Sequence, residues 1–203
     1  MQLHIALGRR PRSNFGPSVA QTWRMSRPFR PHRTFTPGPI DAARLDSLAL
    51  TYVARYATTR AKLAAYLERK IAQRGWGGEG EIPVEAIVER FAEMGYVNDA
   101  IFAAGRGAAL SRRGYGERRV GDALRAAGIA EEDAAPVREA ARSEALEAAL
   151  IFARRRRIGP FAREDGDPDT RRRALAAMLR AGHPMDIARK VAFAQTGASL
   201  DEA

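Results

Sequence analysis

The feature that most limits how this chain can fold is a helix–glycine–helix spacing that occurs three times. The copies are Ile71-x-x-x-Gly75 followed by Ile87, Leu124-x-x-x-Gly128 followed by Val137, and Met178-x-x-x-Gly182 followed by Val191. The glycine precedes the aliphatic residue named with it by nine positions in the last two copies and by twelve in the first. A recurring spacing of this kind indicates stacked helical units, each too small to be stable alone.

Helical periodicity fills the intervals between these copies. The first stripe has apolar residues at i, i+3, i+4, i+7, i+8 and i+11, namely Leu45, Leu48, Ala49, Tyr52, Val53 and Tyr56. Alanine is abundant and β-branched residues are sparse, which favours helix. The sequence therefore predicts an all-α fold, an elongated, curved array of three tandem three-helix repeats. Their bounds are 41–96, 97–140 and 141–203, the last with a C-terminal tail.

Local signals predict how individual helices begin and end. Thr58 or Thr59 is expected to cap the second helix, and Gly95 to end the third in a left-handed conformation. Pro136 is expected to kink or shorten the sixth helix, placed at about 131–140. Residues 158–168 are predicted to form a polar loop.

Residues 1–40 differ from the rest of the chain in composition. They contain seven arginines, six of the eleven prolines and no acidic residue. We expect a disordered basic arm, because such a segment cannot bury enough apolar surface to offset the entropy of ordering. Met25 offers an alternative start within it, and a transit peptide is a further interpretation. The arm accounts for +7 of the formal net charge of +10, so the helical body has only +3.

The charge favours a polyanionic partner, whereas the residues for catalysis are missing. Nucleic acid or an acidic protein surface would suit so many arginines, although arginine-rich codon usage in a GC-rich genome is the alternative explanation. There is no cysteine, no histidine pair at i, i+4 and no phosphate-binding Gly-Lys-Ser/Thr motif. We expect no enzyme, no cofactor and no metal site. No apolar run approaches the roughly 20 residues of a membrane span, so a cytoplasmic protein is expected.

Two blocks resemble the RecX family, one across the boundary of the first two repeats and one within the second. Residues 95–103, Gly-Tyr-Val-Asn-Asp-Ala-Ile-Phe-Ala, resemble its Gly-Tyr-aliphatic-Asp-Asp-x-x-Phe-Ala signature. Residues 116–129 resemble the next family block. Asn98 departs from the usual aspartate, and Thr58-Thr59-Arg60 stands where a serine and an acidic residue are more common. The matching signature residues are Gly95, Tyr96, Asn98, Asp99, Phe102, Gly116, Leu124 and Gly128.

For these signature residues we favour a structural role. Gly95 would end a helix, Tyr96 would pack over the junction, and Asn98 or Asp99 would cap the fourth helix. Phe102 would enter the core. Asp99 has no second carboxylate or histidine at ligand spacing, which argues against a metal there.

The resemblance implies a non-enzymatic regulator, mainly an inhibitor, of the RecA recombinase. Such a protein would lie in the groove of the RecA filament on single-stranded DNA and suppress ATP hydrolysis, strand exchange and filament growth. It would act as a monomer, contact the DNA directly or through the filament, and serve homologous recombination, DNA repair and the SOS response. Residues 1–40 match no part of the RecX family pattern.

Arginine clusters are the candidate contacts with such a partner. The arginines expected at the C-terminal end of the seventh helix would be stabilised by the helix dipole. The competing interpretation is therefore that they are solvent-exposed residues with no partner contact. The arginines expected at the N-terminal end of the eighth helix would be destabilised by the helix dipole. Their presence there favours contact with an external anion. The candidates are Arg106, Arg112, Arg113, Arg118, Arg119, Arg125, Arg154, Arg155, Arg156, Arg157, Arg171, Arg172 and Arg173.

Two alternatives compete with regulation of RecA. A general nucleic-acid-binding helical module would act mainly through residues 1–40, with salt-sensitive and sequence-blind binding. A helical scaffold for an unrelated acidic protein would also fit the composition.

Overall fold

A computed structural model describes residues 38–200, and this part of the chain contains nine α-helices, one short 3-10 helix and no strand. No helix within these bounds is both long enough and apolar enough to cross a membrane. The predicted arm lies outside the described residues except at its end. The helices are α1 Ala42–Arg55, α2 Arg60–Arg74, α3 Val84–Glu93, α4 Asp99–Ser111, α5 Glu117–Arg125, α6 Glu131–Ser143, α7 Ala145–Arg156, α8 Pro168–Arg180 and α9 Met185–Ala192, with the 3-10 helix at Gly159–Phe161.

Each successive set of three helices surrounds its own buried cluster, which confirms the predicted array of three-helix repeats. Leu63 and Leu67 are fully buried in the first cluster, and Leu124 is fully buried in the second. Met178 and Val191 are fully buried in the third. The apolar stripe predicted for α1 faces its cluster, because residues three and four apart share one side of a helix. The exception is Tyr56, the last residue of that stripe, which is 52% exposed.

The glycines of the repeated spacing close the second helix of each set. Gly75, Gly128 and Gly182 have φ values of 78°, 71° and 93°. At Gly128 the glycine N–H donates to Arg125 O and the next N–H, of Ile129, donates to Leu124 O, which satisfies the last carbonyls of α5. Only glycine adopts this conformation without a steric penalty, so the sequence repeat is a repeat of helix ends.

Neighbouring repeats are joined where the N-terminus of one middle helix meets the glycine turn of the next repeat. Thr59, the N-cap of α2, is fully buried, and its Oγ1 donates to Ala127 O at 2.7 Å. At the second junction the backbone N–H of Gly116, the N-cap of α5, donates to Ala181 O at 3.0 Å. A Cβ at Gly116 would lie 2.4 Å from Gly182 O, so only glycine permits this approach.

The signature residues Asn98 and Asp99 cap two different helices. Asn98 Oδ1 accepts from the N–H of Ile101 at 2.8 Å and so caps α4, as predicted. Asp99 Oδ1 instead accepts from the N–H of Arg60 at 3.0 Å, at the first turn of α2 in the preceding repeat. Of the two residues offered as the cap of α4, Asn98 is therefore the cap, whereas Asp99 helps to fasten repeats one and two.

Three predicted boundaries differ from the structure. Ile40 is fully buried in the first cluster, and its backbone pairs with Gly75 O and Gly77 N, so residues 38–40 belong to the folded body. Helix α6 passes through Pro136 to Ser143 and is not shortened. The 158–168 segment is not merely a polar loop, because Pro160 is buried within the 3-10 helix.

His183 is a buried titratable group at the second junction. Its exposed fraction is 3%, its Nε2 lies 3.1 Å from Gly114 O, and its Nδ1 has no hydrogen-bond partner. Burial lowers the pKa of His183 below the usual 6.5, against the opposing effect of the bond to Gly114. The neutral ring with a proton on Nε2 fits this site.

Removing the Asp99 carboxylate should weaken the first junction. Asp99→Ala should lower the free energy of unfolding by about 1 kcal/mol, the usual cost of a lost helix cap. Asp99→Asn keeps an acceptor oxygen and should lose clearly less. Urea denaturation of both variants measures the difference; equal losses would show that the bond to Arg60 does not stabilise the junction.

Acidification should destabilise the protein through His183. As the pH falls through 6.5, His183 is protonated in the unfolded chain but stays neutral in the folded protein, whose pKa at this residue is lower. Protonation therefore stabilises the unfolded chain, and the free energy of unfolding decreases below about pH 6.5. Thermal denaturation from about pH 8 to about pH 5.5, where carboxylates stay ionised, should show a fall that His183→Asn reduces. Parallel pH profiles for the two proteins would contradict this assignment.

Candidate functional site

A basic groove lies where α2, α4, α5 and the turn between α4 and α5 meet. It has a volume of about 560 Å³. We call it the basic groove and define it by its charged and aromatic lining residues. These are Lys62, Phe102, Arg106, Arg113, Tyr115, Arg119 and Asp122.

Helical spacing explains why these side chains converge. Phe102, Arg106 and Leu110 follow one another at four-residue intervals and therefore share one side of α4. Arg119 and Ala123 are spaced in the same way on α5. The fold places these two sides opposite each other, and Leu110 and Ala127 form a buried apolar floor.

The aromatic rings of the groove lie beneath its cations. Lys62 Nζ is 4.4 Å from the centre of the Phe102 ring, and the Arg113 guanidinium is 5.2 Å from that of Tyr115. Arg119 lies 5.9 Å from the same tyrosine ring. These contacts hold the cations at the surface of the groove without neutralising them, since the attraction comes from the ring quadrupole.

Positive charge in the groove is not balanced by the acids around it. Within residues 38–200, none of Lys62, Arg106, Arg113 and Arg119 forms an ion pair. Asp122, the one acidic residue that lines the groove in the described part of the chain, pairs with Arg125 at 2.9 Å. Residues 38–200 therefore present four cations in the groove that can contact an external anion.

Only three of the thirteen candidate arginines line this groove, namely Arg106, Arg113 and Arg119. Arg112 lines a separate cleft with Glu144 and Glu147. Arg118 donates from its guanidinium to Leu179 O, and Arg125 is paired with Asp122 as described.

The arginines at the end of α7 have mostly structural contacts. Arg154 lies over the Phe161 ring and Arg156 over the Phe152 ring. Arg155 donates to Arg113 O at 2.9 Å and so ties α7 to the α4–α5 turn. Arg157 ends α7 in a left-handed conformation with a φ of 55°.

The arginines of α8 lie further along the helix than the sequence suggested. Helix α8 begins at Pro168, so Arg171, Arg172 and Arg173 occupy its second turn. Arg172 pairs with Asp169, and Arg173 donates to Asp169 O and to Thr170 Oγ1. Arg171 lines a cleft near Asp165. The argument that the helix dipole disfavours these residues was therefore wrong, because the dipole acts within the first turn.

Sequence reasoning missed Lys62 and the roles of two aromatic residues. Phe102 was predicted to enter the core; it packs against the second cluster but is only half-buried, and it also lines the groove. Tyr115, in the turn between α4 and α5, was not among the candidate site residues. The four-residue spacing of Phe102 and Arg106 was visible, whereas the approach of Lys62 from the preceding repeat depends on the tertiary fold. Among residues 38–200, no three potential metal ligands converge.

Comparisons with known proteins agree with this architecture, although no protein-family model matches the chain. Regulatory protein RecX of Myxococcus xanthus is 35% identical over 163 residues, which cover 76% of this chain and 87% of that protein. Regulatory protein RecX of Mycobacteroides abscessus is 32% identical over 153 residues, 74% of this chain and 72% of that protein.

A crystal structure of RecX from Lactobacillus salivarius has a similar fold, with a TM-score of 0.55 at 15% identity. The match covers 73% of this chain and 92% of that one. The identity to the two regulatory proteins, over most of the length of each, shows the family: this chain belongs to the RecX family of regulatory proteins.

Proposed function

We propose that this protein is a non-enzymatic regulator of a RecA recombinase, and that it binds the RecA filament on single-stranded DNA. In this proposal it suppresses ATP hydrolysis, strand exchange and filament growth. Membership of the RecX family supports the regulatory role. The contact we assign is the basic groove, which is supported by one observation above the others: its four cations have no acidic partner among the described residues.

The chemistry of the groove suits an anionic surface on a filament. Arg106, Arg113 and Arg119 can each donate to a carboxylate or a phosphate, and arginine does so with two parallel hydrogen bonds. The half-buried rings of Phe102 and Tyr115 and the apolar floor supply contact area beside these charges. Aromatic and arginine side chains in such a setting provide most of the affinity of a protein interface.

Occupation of a filament groove would obstruct the recombinase without any chemistry of its own. A bound protein that contacts neighbouring protomers would oppose the changes of conformation that ATP hydrolysis requires and would block entry of duplex DNA. Three repeats joined end to end suit an extended contact of this kind, since repeat proteins present a continuous face to a partner.

Neutralising the groove should weaken inhibition. The triple variant Arg106→Ala, Arg113→Ala, Arg119→Ala should need roughly 100-fold more protein, or still more, to inhibit RecA-dependent ATP hydrolysis on single-stranded DNA, because interface arginines cost about 1 kcal/mol or more each when truncated. Titration of the variant at substoichiometric and higher ratios to RecA measures this change.

A charge-matched control separates the groove from net charge. Arg44, Arg163 and Arg189 are exposed and do not line the groove, so replacing all three with alanine removes the same charge elsewhere. This control should inhibit as the parent does. Equal inhibition by the two triple variants would exclude the groove as the contact, and no inhibition by the parent protein would exclude RecA as the target.

The seven arginines of residues 1–40 favour a second candidate, a general nucleic-acid-binding module. Because Ile40 is buried in the first cluster, a truncation that tests the arm should end at residue 37. Regulation of RecA through the groove predicts that this truncated chain still inhibits ATP hydrolysis. If inhibition disappears together with salt-sensitive DNA binding, the arm is the functional element.

A further inference from the structure

A cluster of three tyrosines and two arginines lies on the first repeat, apart from the basic groove. We call it the tyrosine patch and define it by Tyr52, Arg55, Tyr56, Tyr66 and Arg69. The Tyr52 ring stacks on Tyr66 with centres 4.2 Å apart, and Tyr56 lies 5.3 Å from Tyr52 in a tilted arrangement. Together with Thr51 these residues line a cleft of about 390 Å³.

The sequence places these residues together by helical spacing. Tyr52 and Tyr56 are four residues apart at the end of α1, and Arg55 is in its last turn. On α2, Arg69 follows Tyr66 by three residues and lies 5.7 Å from its ring centre. The packing of α1 against α2 therefore produces a row of rings bordered by guanidinium groups.

Positive charge at the tyrosine patch has no acidic partner. No acidic side chain lines the cleft, and neither Arg55 nor Arg69 forms an ion pair within residues 38–200. Glu68, next to Arg69 in the chain, lines a different groove with Ile71 and Ala72. An anion at the cleft would thus meet attraction from both arginines.

Tyr56 differs from the aromatic residues of the basic groove in having an open ring. Its exposed fraction is 52%, and no cation lies over it among the described residues. Phe102 and Tyr115 are already covered by Lys62 and Arg113. An open aromatic ring beside a stacked pair of rings can accept one more planar group.

We propose that the tyrosine patch binds single-stranded nucleic acid directly, with one base stacked on Tyr56 and the adjacent phosphates held by Arg55 and Arg69. Stacked rings beside cations are the means by which proteins hold single strands without reading their sequence. A duplex keeps its bases stacked within the helix and so cannot offer this contact. The patch is distinct from the groove, and its binding does not require RecA.

The test is fluorescence anisotropy of labelled oligo(dT) and oligo(U) with the full chain and no RecA. The titrations are repeated at rising salt concentration, because purely electrostatic binding by residues 1–40 weakens with salt more steeply than a contact that includes base stacking. Tyr56→Ala should weaken binding roughly 5- to 100-fold, the range that loss of one stacked base produces. Tyr56→Phe keeps the ring and should bind as the parent does.

Tyr96→Ala is the matched control, since Tyr96 is 55% exposed, lies outside the tyrosine patch and has its ring against that of Phe91. It should leave affinity unchanged. Ultraviolet cross-linking to oligo(dT), followed by peptide mapping, should identify α1 and α2. If Tyr56→Ala loses affinity for both oligonucleotides, the site does not distinguish deoxyribose from ribose. If it loses affinity for only one, that oligonucleotide identifies whether the site binds DNA or RNA.

The proposal is overturned if Tyr56→Ala and Tyr96→Ala bind equally well, or if cross-links occur only outside α1 and α2. Inhibition of RecA-dependent ATP hydrolysis, measured with the same proteins, reports on the proposed function separately. A Tyr56→Ala variant that still inhibits but no longer binds oligonucleotide would separate the two sites.

Discussion

The whole described fold depends on a contact between the N-terminus of one middle helix and the left-handed glycine turn of the next repeat. At the first junction Thr59 donates its hydroxyl to Ala127 O, and at the second Gly116 donates its backbone N–H to Ala181 O. The donors differ, but the acceptor is the carbonyl before the turn glycine in both. Repeats of about 50 residues bury too little surface to fold alone, so these contacts determine whether the protein folds as one unit.

The same junction creates the basic groove. Lys62 is only three residues beyond Thr59, and its N–H donates to the Thr59 hydroxyl at 3.2 Å. When Thr59 docks on the second repeat, the Lys62 side chain lies over Phe102 of that repeat. Arg119 is likewise three residues beyond Gly116 at the second junction, and its N–H donates to Gly116 O at 3.0 Å. The charges that we assign to partner binding are therefore positioned by the residues that stabilise the fold.

Much of the fold could be predicted from the sequence because it depends on local patterns. Apolar spacing identified the helices, and the glycine spacing identified their ends. Pro136 misled the prediction because α6 continues past it, and tertiary packing can outweigh a local propensity. Ile40 was missed because its burial depends on backbone pairing with the distant Gly75 and Gly77.

The candidate site could be predicted only in part, because a site built between repeats depends on long-range contacts. Three groove arginines were among the thirteen candidates, but nothing local distinguished them from Arg172, which pairs with Asp169 one turn away. Asp99 is a second example. Its position in the sequence suggested a cap for α4, but in the folded protein it accepts from Arg60 at the first turn of α2.

The most direct test of the central claim is photo-cross-linking to a RecA filament assembled on single-stranded DNA. A photoreactive amino acid at position 106 lies in the basic groove, and the same group at position 163 lies on the exposed surface outside it. The account predicts efficient cross-links to RecA or its DNA from position 106 and few from position 163. Equal yields from the two positions, or a preference for position 163, would contradict it.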